Sequence, residues 1–237
     1  MLTVLTMGFD SVVFDLDATL INLGEHVDWR RAQSEIAQAY VTLGCSHEDV
    51  EACSGKGLFG MLEELWEINR AELGAAKANL IQDEAYTILH SYEEKGVPGC
   101  SLMPGCIEAL NWIMEKKVPM GVCTSNSQKA AEQALETLSL DRYFKAVIGR
   151  NTAHRMKPHP DQLKACYGCL GTRPDRGVVV GDSHRDVLAG KALDSYTIVV
   201  PVYFTRLDKV KEAGADLIIG SLAELPEVLA GIKRLPR

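Results

Sequence analysis

Four short polar clusters, each at the end of an apolar run, carry residue types from which a reactive site can be built. The first is Asp15-Leu16-Asp17-Ala18-Thr19, closing the run SVVFD at 11–15. Residues two apart on an extended chain face the same way, so Asp15 and Asp17 are expected at one site, one as nucleophile and the other as acid/base. The second is Thr124-Ser125-Asn126, two hydroxyls and an amide at the expected start of a helix, where backbone N–H groups favour an anion. The third is Lys157, in Lys157-Pro158-His159-Pro160, within a stretch that holds Arg150 and Arg155 and no acid before Asp161. The fourth is Gly181-Asp182-Ser183-His184-Arg185-Asp186. Its two carboxylates lie one helical turn apart, which places Asp186 to orient Lys157 or to reach a bound cation through water. His184 is read as a partly exposed structural residue.

Sites of this kind sit beyond the carboxyl ends of strands in an α/β sheet. Short β-branched runs recur at 11–15, 120–123, 146–148, 178–180, 197–200 and 217–219, as buried parallel strands would. Helical stripes lie between them: Ile107, Leu110 and Met114; Ala131, Ala134, Leu135 and Leu138; Leu163, Cys166, Tyr167 and Leu170. This alternation predicts an α/β fold, a Rossmann-like parallel sheet with helices on both faces. One stretch departs from it. Residues 21–99 show no strand but several helical stripes, including Ala32, Ile36, Tyr40 and Leu43, then Leu58, Met61, Leu62 and Leu65. Ser46 and Asp49 form an expected capping box. The division predicted is a core of 1–20 and 100–237 with an inserted α-helical cap domain at 21–99.

The 237 residues carry 25 Lys and Arg against 32 Asp and Glu, a net charge of −7, which argues against a nucleic-acid surface. No apolar run approaches the ~20 residues of a membrane span, and the first ten residues lack a secretory leader's basic segment, so a cytoplasmic protein is expected. Seven cysteines, an odd number, suggest reduced thiols. Cys166 and Cys169 form a lone C-x-x-C, but Cys166 belongs to a helical stripe and is read as core, not as a metal ligand.

The four clusters, in this order and each at a strand end, resemble the haloacid dehalogenase-like (HAD) hydrolases, specifically the phosphatase branch with a helical cap after the first motif. The resemblance covers nearly the whole chain. It implies that Asp15 attacks phosphorus and becomes a phospho-aspartate, while Asp17 protonates the leaving oxygen and then activates water. It also implies that Thr124 and Lys157 hold the phosphoryl oxygens, with Ser125 and Asn126 beside them. Mg²⁺ would be bound by Asp15, Asp182 and the Asp17 carbonyl, with Asp186 behind them. Physical chemistry is consistent with this. A carboxylate and a phosphate dianion repel each other, Mg²⁺ favours oxygen ligands, and clustered carboxylates are mutually destabilising without a cation. One departure is Ala18, where the family usually has Gly; if the position requires positive φ, Ala is strained there.

The expected activity is therefore Mg²⁺-dependent hydrolysis of a small soluble phosphomonoester, with no nucleic-acid or membrane partner. Two alternatives share the motifs: an isomerase resembling β-phosphoglucomutase, and a non-catalytic binding module on the same fold. Substrate choice is assigned to the cap. There Gly55-Lys56-Gly57 is the candidate loop, with Lys56 offered to the substrate, and Trp29, Arg30, Arg31, Trp66 and Arg70 are further candidates for the cleft.

Overall fold

A computed structural model describes residues 7–151, 155–202, 204–233 and 235; most of the stretch read for a leader lies outside them. Six strands form one parallel sheet: β1 (Ser11–Phe14), β2 (Met120–Ser127), β3 (Phe144–Arg150), β4 (Gly177–Gly181), β5 (Tyr196–Val199) and β6 (Leu217–Ile218), in the order β3-β2-β1-β4-β5-β6. Every expected run forms a strand. Val12 lies opposite Met120 on one side and Val178 on the other, so β1 is central. Its residues alternate between faces, as a strand with period two requires. Val12 and Phe14 join the larger core with Val122 and Val180, and Val13 joins a second cluster with Cys123, Val179 and Tyr167.

Helices cover both faces. Flanking the sheet are α5 (Cys106–Glu115), α6 (Gln128–Thr137), α7 (Asp161–Leu170), α8 (His184–Lys191), α9 (Leu207–Glu212) and α10 (Leu225–Gly231); between β1 and β2 come α1 (Trp29–Thr42), α2 (His47–Ser54), α3 (Leu58–Leu73) and α4 (Ala75–Gly96). On α5 the buried stripe is Cys106, Ala109, Leu110 and Ile113, one residue out of the expected phase, and Met114 is 45 % exposed. The reading of Cys166 as core holds. It is fully buried on α7 against Gly121 of β2, where a Cβ would come within 2.6 Å of its sulfur. Glycine at 121 is what lets helix and strand approach. All seven cysteines are free. Among the described residues no helix is long and apolar enough to cross a membrane.

The two chain crossings between sheet and inserted helices are hydrogen-bonded to each other. Asn22 N donates to Ser101 O at 3.0 Å, Ser101 N to Asn22 Oδ1 at 2.6 Å, and Met103 N to Leu20 O at 2.9 Å. Ser46 caps α2 by accepting from Asp49 N, one half of the capping box expected there.

Candidate active site

The carboxyl ends of β1, β2 and β4 open into a cavity of about 700 Å³, roofed by the N-terminal ends of α1 and α3. Asp15, Asp17, Thr124, Ser125, Asn126, Lys157, Asp182 and Asp186 all line it. Sequence separations of up to 171 residues thus converge because parallel strands share one carboxyl edge.

Asp15 continues the sheet for one residue, its N–H donating to Val180 O at 2.8 Å. Lys157, only 5 % exposed, donates to Asp15 Oδ1 at 2.6 Å, to Asp186 Oδ1 at 2.5 Å and to Cys123 O at 2.8 Å. An ammonium has three N–H donors, and all three are used within the protein. Burial works against the Lys157 charge, but Asp15 and Asp186 outweigh it and raise its pKa, so it stays protonated. Burial pushes the Asp15 carboxyl up, against the pull of Lys157. At Asp186 burial is overcome by Lys157 and by the Ser183 hydroxyl, which donates at 2.7 Å, and the pKa falls below the usual carboxylate range. The same oxygen accepts from Ser183 N, so Asp186 also completes the capping box that opens α8. His184, partly exposed as expected, is the first residue of that helix.

Asp15, Asp182 and Asp186 present carboxylate oxygens that all lie within 4.8 Å of one another. Burial, then the neighbouring Asp186 and Asp15 charges, push Asp182 up to about 8. Three buried acids face the Lys157 ammonium, with the Arg185 guanidinium adding a weaker pull on Asp182 and Asp186. That excess of hard oxygen donors fits a divalent cation such as Mg²⁺.

Asp17 stands apart from this cluster. The strand ends at Phe14, and Asp17 Oδ1 accepts from Gly24 N at 2.7 Å. Burial raises its pKa to about 7, with the Asp15 charge adding to the rise and the Gly24 bond opposing it. The turn that follows places Ala18 at φ 63°, where its N–H donates to Ile21 O at 2.7 Å. The left-handed conformation suspected at this position is therefore present, and Ala carries its steric cost.

The Thr124 segment corrects one expectation. Residues 124–126 are the end of β2, not the start of a helix; α6 begins at Gln128, with Ser127 as its cap. Thr124 Oγ1 donates to Asn126 Oδ1 at 2.9 Å and accepts from Asn126 N at 3.1 Å. Arg150 and Arg155 do not reach the Lys157 site. Arg150 pairs with Glu93 of α4, and Arg155 with Glu67 and Glu63 of α3.

Lys56 does not line the cavity; its ammonium is exposed and bonded to Glu64 on the same group of helices. Trp29 and Arg30 do line it, whereas Arg31, Trp66 and Arg70 do not. The sequence reading missed Phe59, Arg185 and Gly24. Arg185 stands within the fourth cluster and carried a signal that was not used; Phe59 and Gly24 show none without the fold.

The chain matches the haloacid dehalogenase-like hydrolase family over residues 12–200 and belongs to it. The relatives and solved structures that it matches include phosphatases. It is 23 % identical to pyrophosphatase PpaX of Bacillus cereus (strain AH820) over 228 residues, 96 % of this chain and all of that one. The fold is shared with a predicted phosphoglycolate phosphatase from Haemophilus somnus 129pt (TM-score 0.64, 18 % identity, 94 % of this chain and 99 % of that one). It is also shared with CbbY from Rhodobacter sphaeroides in complex with xylulose-(1,5)bisphosphate (TM-score 0.60, 21 % identity, 92 % and 96 %).

Proposed function

We propose that the protein is a Mg²⁺-dependent phosphatase that hydrolyses a small phosphomonoester through a phospho-aspartate at Asp15. The observation that carries this is the pairing of two unlike acids in one cavity: Asp15, ion-paired to Lys157, and Asp17, with a pKa of about 7. A proton shuttle poised near neutrality suits Asp17, and the Lys157 ion pair opposes the burial that pushes Asp15 up, so the nucleophile's charge is supported by a cation where that of Asp17 is not. Mg²⁺, held by Asp15, Asp182 and Asp186, would neutralise charge between carboxylate and phosphoryl group.

Lys157 fixes Asp15 Oδ1 and keeps the attacking carboxylate oriented. The Asp15 oxygen forms a bond to phosphorus as the bond to the leaving oxygen breaks, and Asp17 gives that oxygen its proton. Asp17 then takes a proton from water, whose oxygen bonds phosphorus and frees Asp15. With its donors committed to Asp15, Asp186 and Cys123, Lys157 acts as a fixed charge more than as a direct phosphoryl ligand. Thr124, Ser125 and Asn126 line the phosphoryl side. Helices α1–α4 serve as a cap over the site, excluding water until the second step, with the paired crossings at Asn22 and Ser101 as its hinge.

Intact-mass analysis after incubation with substrate and Mg²⁺ tests the chemistry. With an activated aryl phosphate, whose leaving group needs no proton, Asp17→Asn should accumulate a phosphoryl adduct on Asp15, and Asp15→Asn should neither turn over nor label. Turnover by Asp15→Asn would overturn the covalent route, and product analysis distinguishes release of free phosphate from phosphoryl return to a sugar.

A further inference from the structure

We infer that the leaving group this enzyme accepts carries a flat apolar body, an aromatic ring, and not a second phosphate or a short carboxylate. The inference rests on the phosphatase reading and adds to it the substrate class. It starts from where the leaving oxygen must lie, next to Asp17. Asp17 Oδ1 accepts from Gly24 N at 2.7 Å, and Gly24 O accepts from the Trp29 indole N–H at 2.8 Å. One residue therefore ties the proton donor to the indole, so the Trp29 wall borders the leaving-group side of the cavity. Trp29 packs in turn against Phe59, with ring centroids 5.9 Å apart and the rings tilted by 57°. Leu58, Met103, Val202 and Phe204 extend this lining; the polar residues beside them are Glu25, which is anionic, and Asn22 and Gln33, whose side-chain amides donate to Glu25 and to Ser54 O.

Among the described residues, the cations on this side are Arg30 and Arg185. Arg185 stands over the Phe59 ring, its guanidinium carbon 5.0 Å from the centroid, and Arg30 is exposed. A second phosphate drawn from water needs several charge-assisted donors converging on it. Two aromatic rings and an aliphatic lining instead offer dispersion and apolar burial, which suit a ring. The volume agrees: about 700 Å³ lies within the usual range for sites that enclose drug-sized ligands, with room beyond what a transferring phosphoryl group fills.

The test compares kcat/KM for 2-phenylethyl phosphate, ethyl phosphate, phosphoglycolate and inorganic pyrophosphate, using the full chain with Mg²⁺. The two alkyl esters have leaving groups of similar basicity, so their ratio reports binding of the ring and not intrinsic reactivity. The phenylethyl ester should exceed the ethyl ester by on the order of 10- to 100-fold, as expected for burying one ring, and should exceed phosphoglycolate and pyrophosphate, whose leaving groups are anionic. Phe59→Ala should shrink the phenylethyl-to-ethyl ratio. Equal rates for the two esters, or preference for pyrophosphate or phosphoglycolate, would overturn the inference and leave the phosphatase reading standing. Release of phosphate from none of the four would overturn both.

Discussion

Glu93, near the end of α4, and Arg150, at the end of β3, form a bidentate ion pair with both N–O distances 2.9 Å and neither side chain exposed. Arg150 also donates to Ser125 O at 2.6 Å and stacks on Tyr86, while Glu93 accepts from Ser127 N at 3.0 Å and Asn126 Nδ2 at 3.3 Å. One inserted helix thus holds the end of β2 in place. Removing one partner strands the other as a buried charge, so Glu93→Gln should cost about 3–5 kcal/mol, whereas replacing both with apolar residues should recover most of it. Urea denaturation of the single and double variants measures the coupling. Activity should fall in all of them, because residues 125–127 lose their anchors; unchanged kcat/KM would mean that this segment needs no support.

Gly24 is predicted to be intolerant of a single added carbon. A Cβ there would lie 2.5 Å from Asp17 Oδ2, so Gly24→Ala must displace the carboxyl that handles the proton. A shift of this size at a reacting group costs on the order of 100-fold in rate. The denaturation midpoint should move little by comparison, and kcat measured beside it separates misplacement from unfolding.

The acid cluster sets an unusual pH dependence for the metal-free protein. Asp182 and Asp17 have folded pKa values of about 8 and about 7, both above the unfolded carboxylate value. Between about pH 4 and 8 the folded state therefore holds more protons, and stability falls as pH rises. Below about pH 4 the sign reverses at Asp186, whose pKa is lowered, and its contribution is lost as the pH falls. Mg²⁺ competes with those protons, so it should raise the melting temperature more at pH 8 than at pH 5. Scanning calorimetry in chelator and in Mg²⁺ decides this; an equal Mg²⁺ increment at both pH values would remove these carboxylates from the metal site.

Ala18→Gly should be neutral or stabilising. Relief of left-handed strain is worth about 1–2 kcal/mol, against about 0.5–1 kcal/mol for the greater freedom of glycine in the unfolded chain. The net expectation is roughly 0 to 1.5 kcal/mol gained, read from chemical denaturation. A loss of about 1 kcal/mol, ordinary for this exchange in a helix, would mean that Ala18 makes contacts worth more than its strain.

The sequence by itself determined the sheet and the identity of the polar residues at its edge. Buried parallel strands must be short apolar runs, and Asp15, Thr124 and Asp182 stand at or near the ends of β1, β2 and β4, so they were legible one cluster at a time; Lys157, seven residues beyond the end of β3, was legible from its place before Pro158-His159-Pro160. The helical insert was legible for a similar reason, since a 3.6-residue period is a local property. What only the tertiary structure decided was who pairs with whom. Lys157 gives its donors to Asp15, Asp186 and a carbonyl; Lys56 turns to Glu64; Arg150, read from its neighbours as part of a basic stretch, is neutralised by Glu93, 57 residues away. Ion pairs and aromatic contacts across such separations leave no periodicity in the chain, because they depend on how helices pack over the sheet and not on the spacing within any one element. The Trp29–Phe59 wall and the pKa of Asp17 belong to the same class: both are set by burial, which single residues report weakly and packing alone assigns.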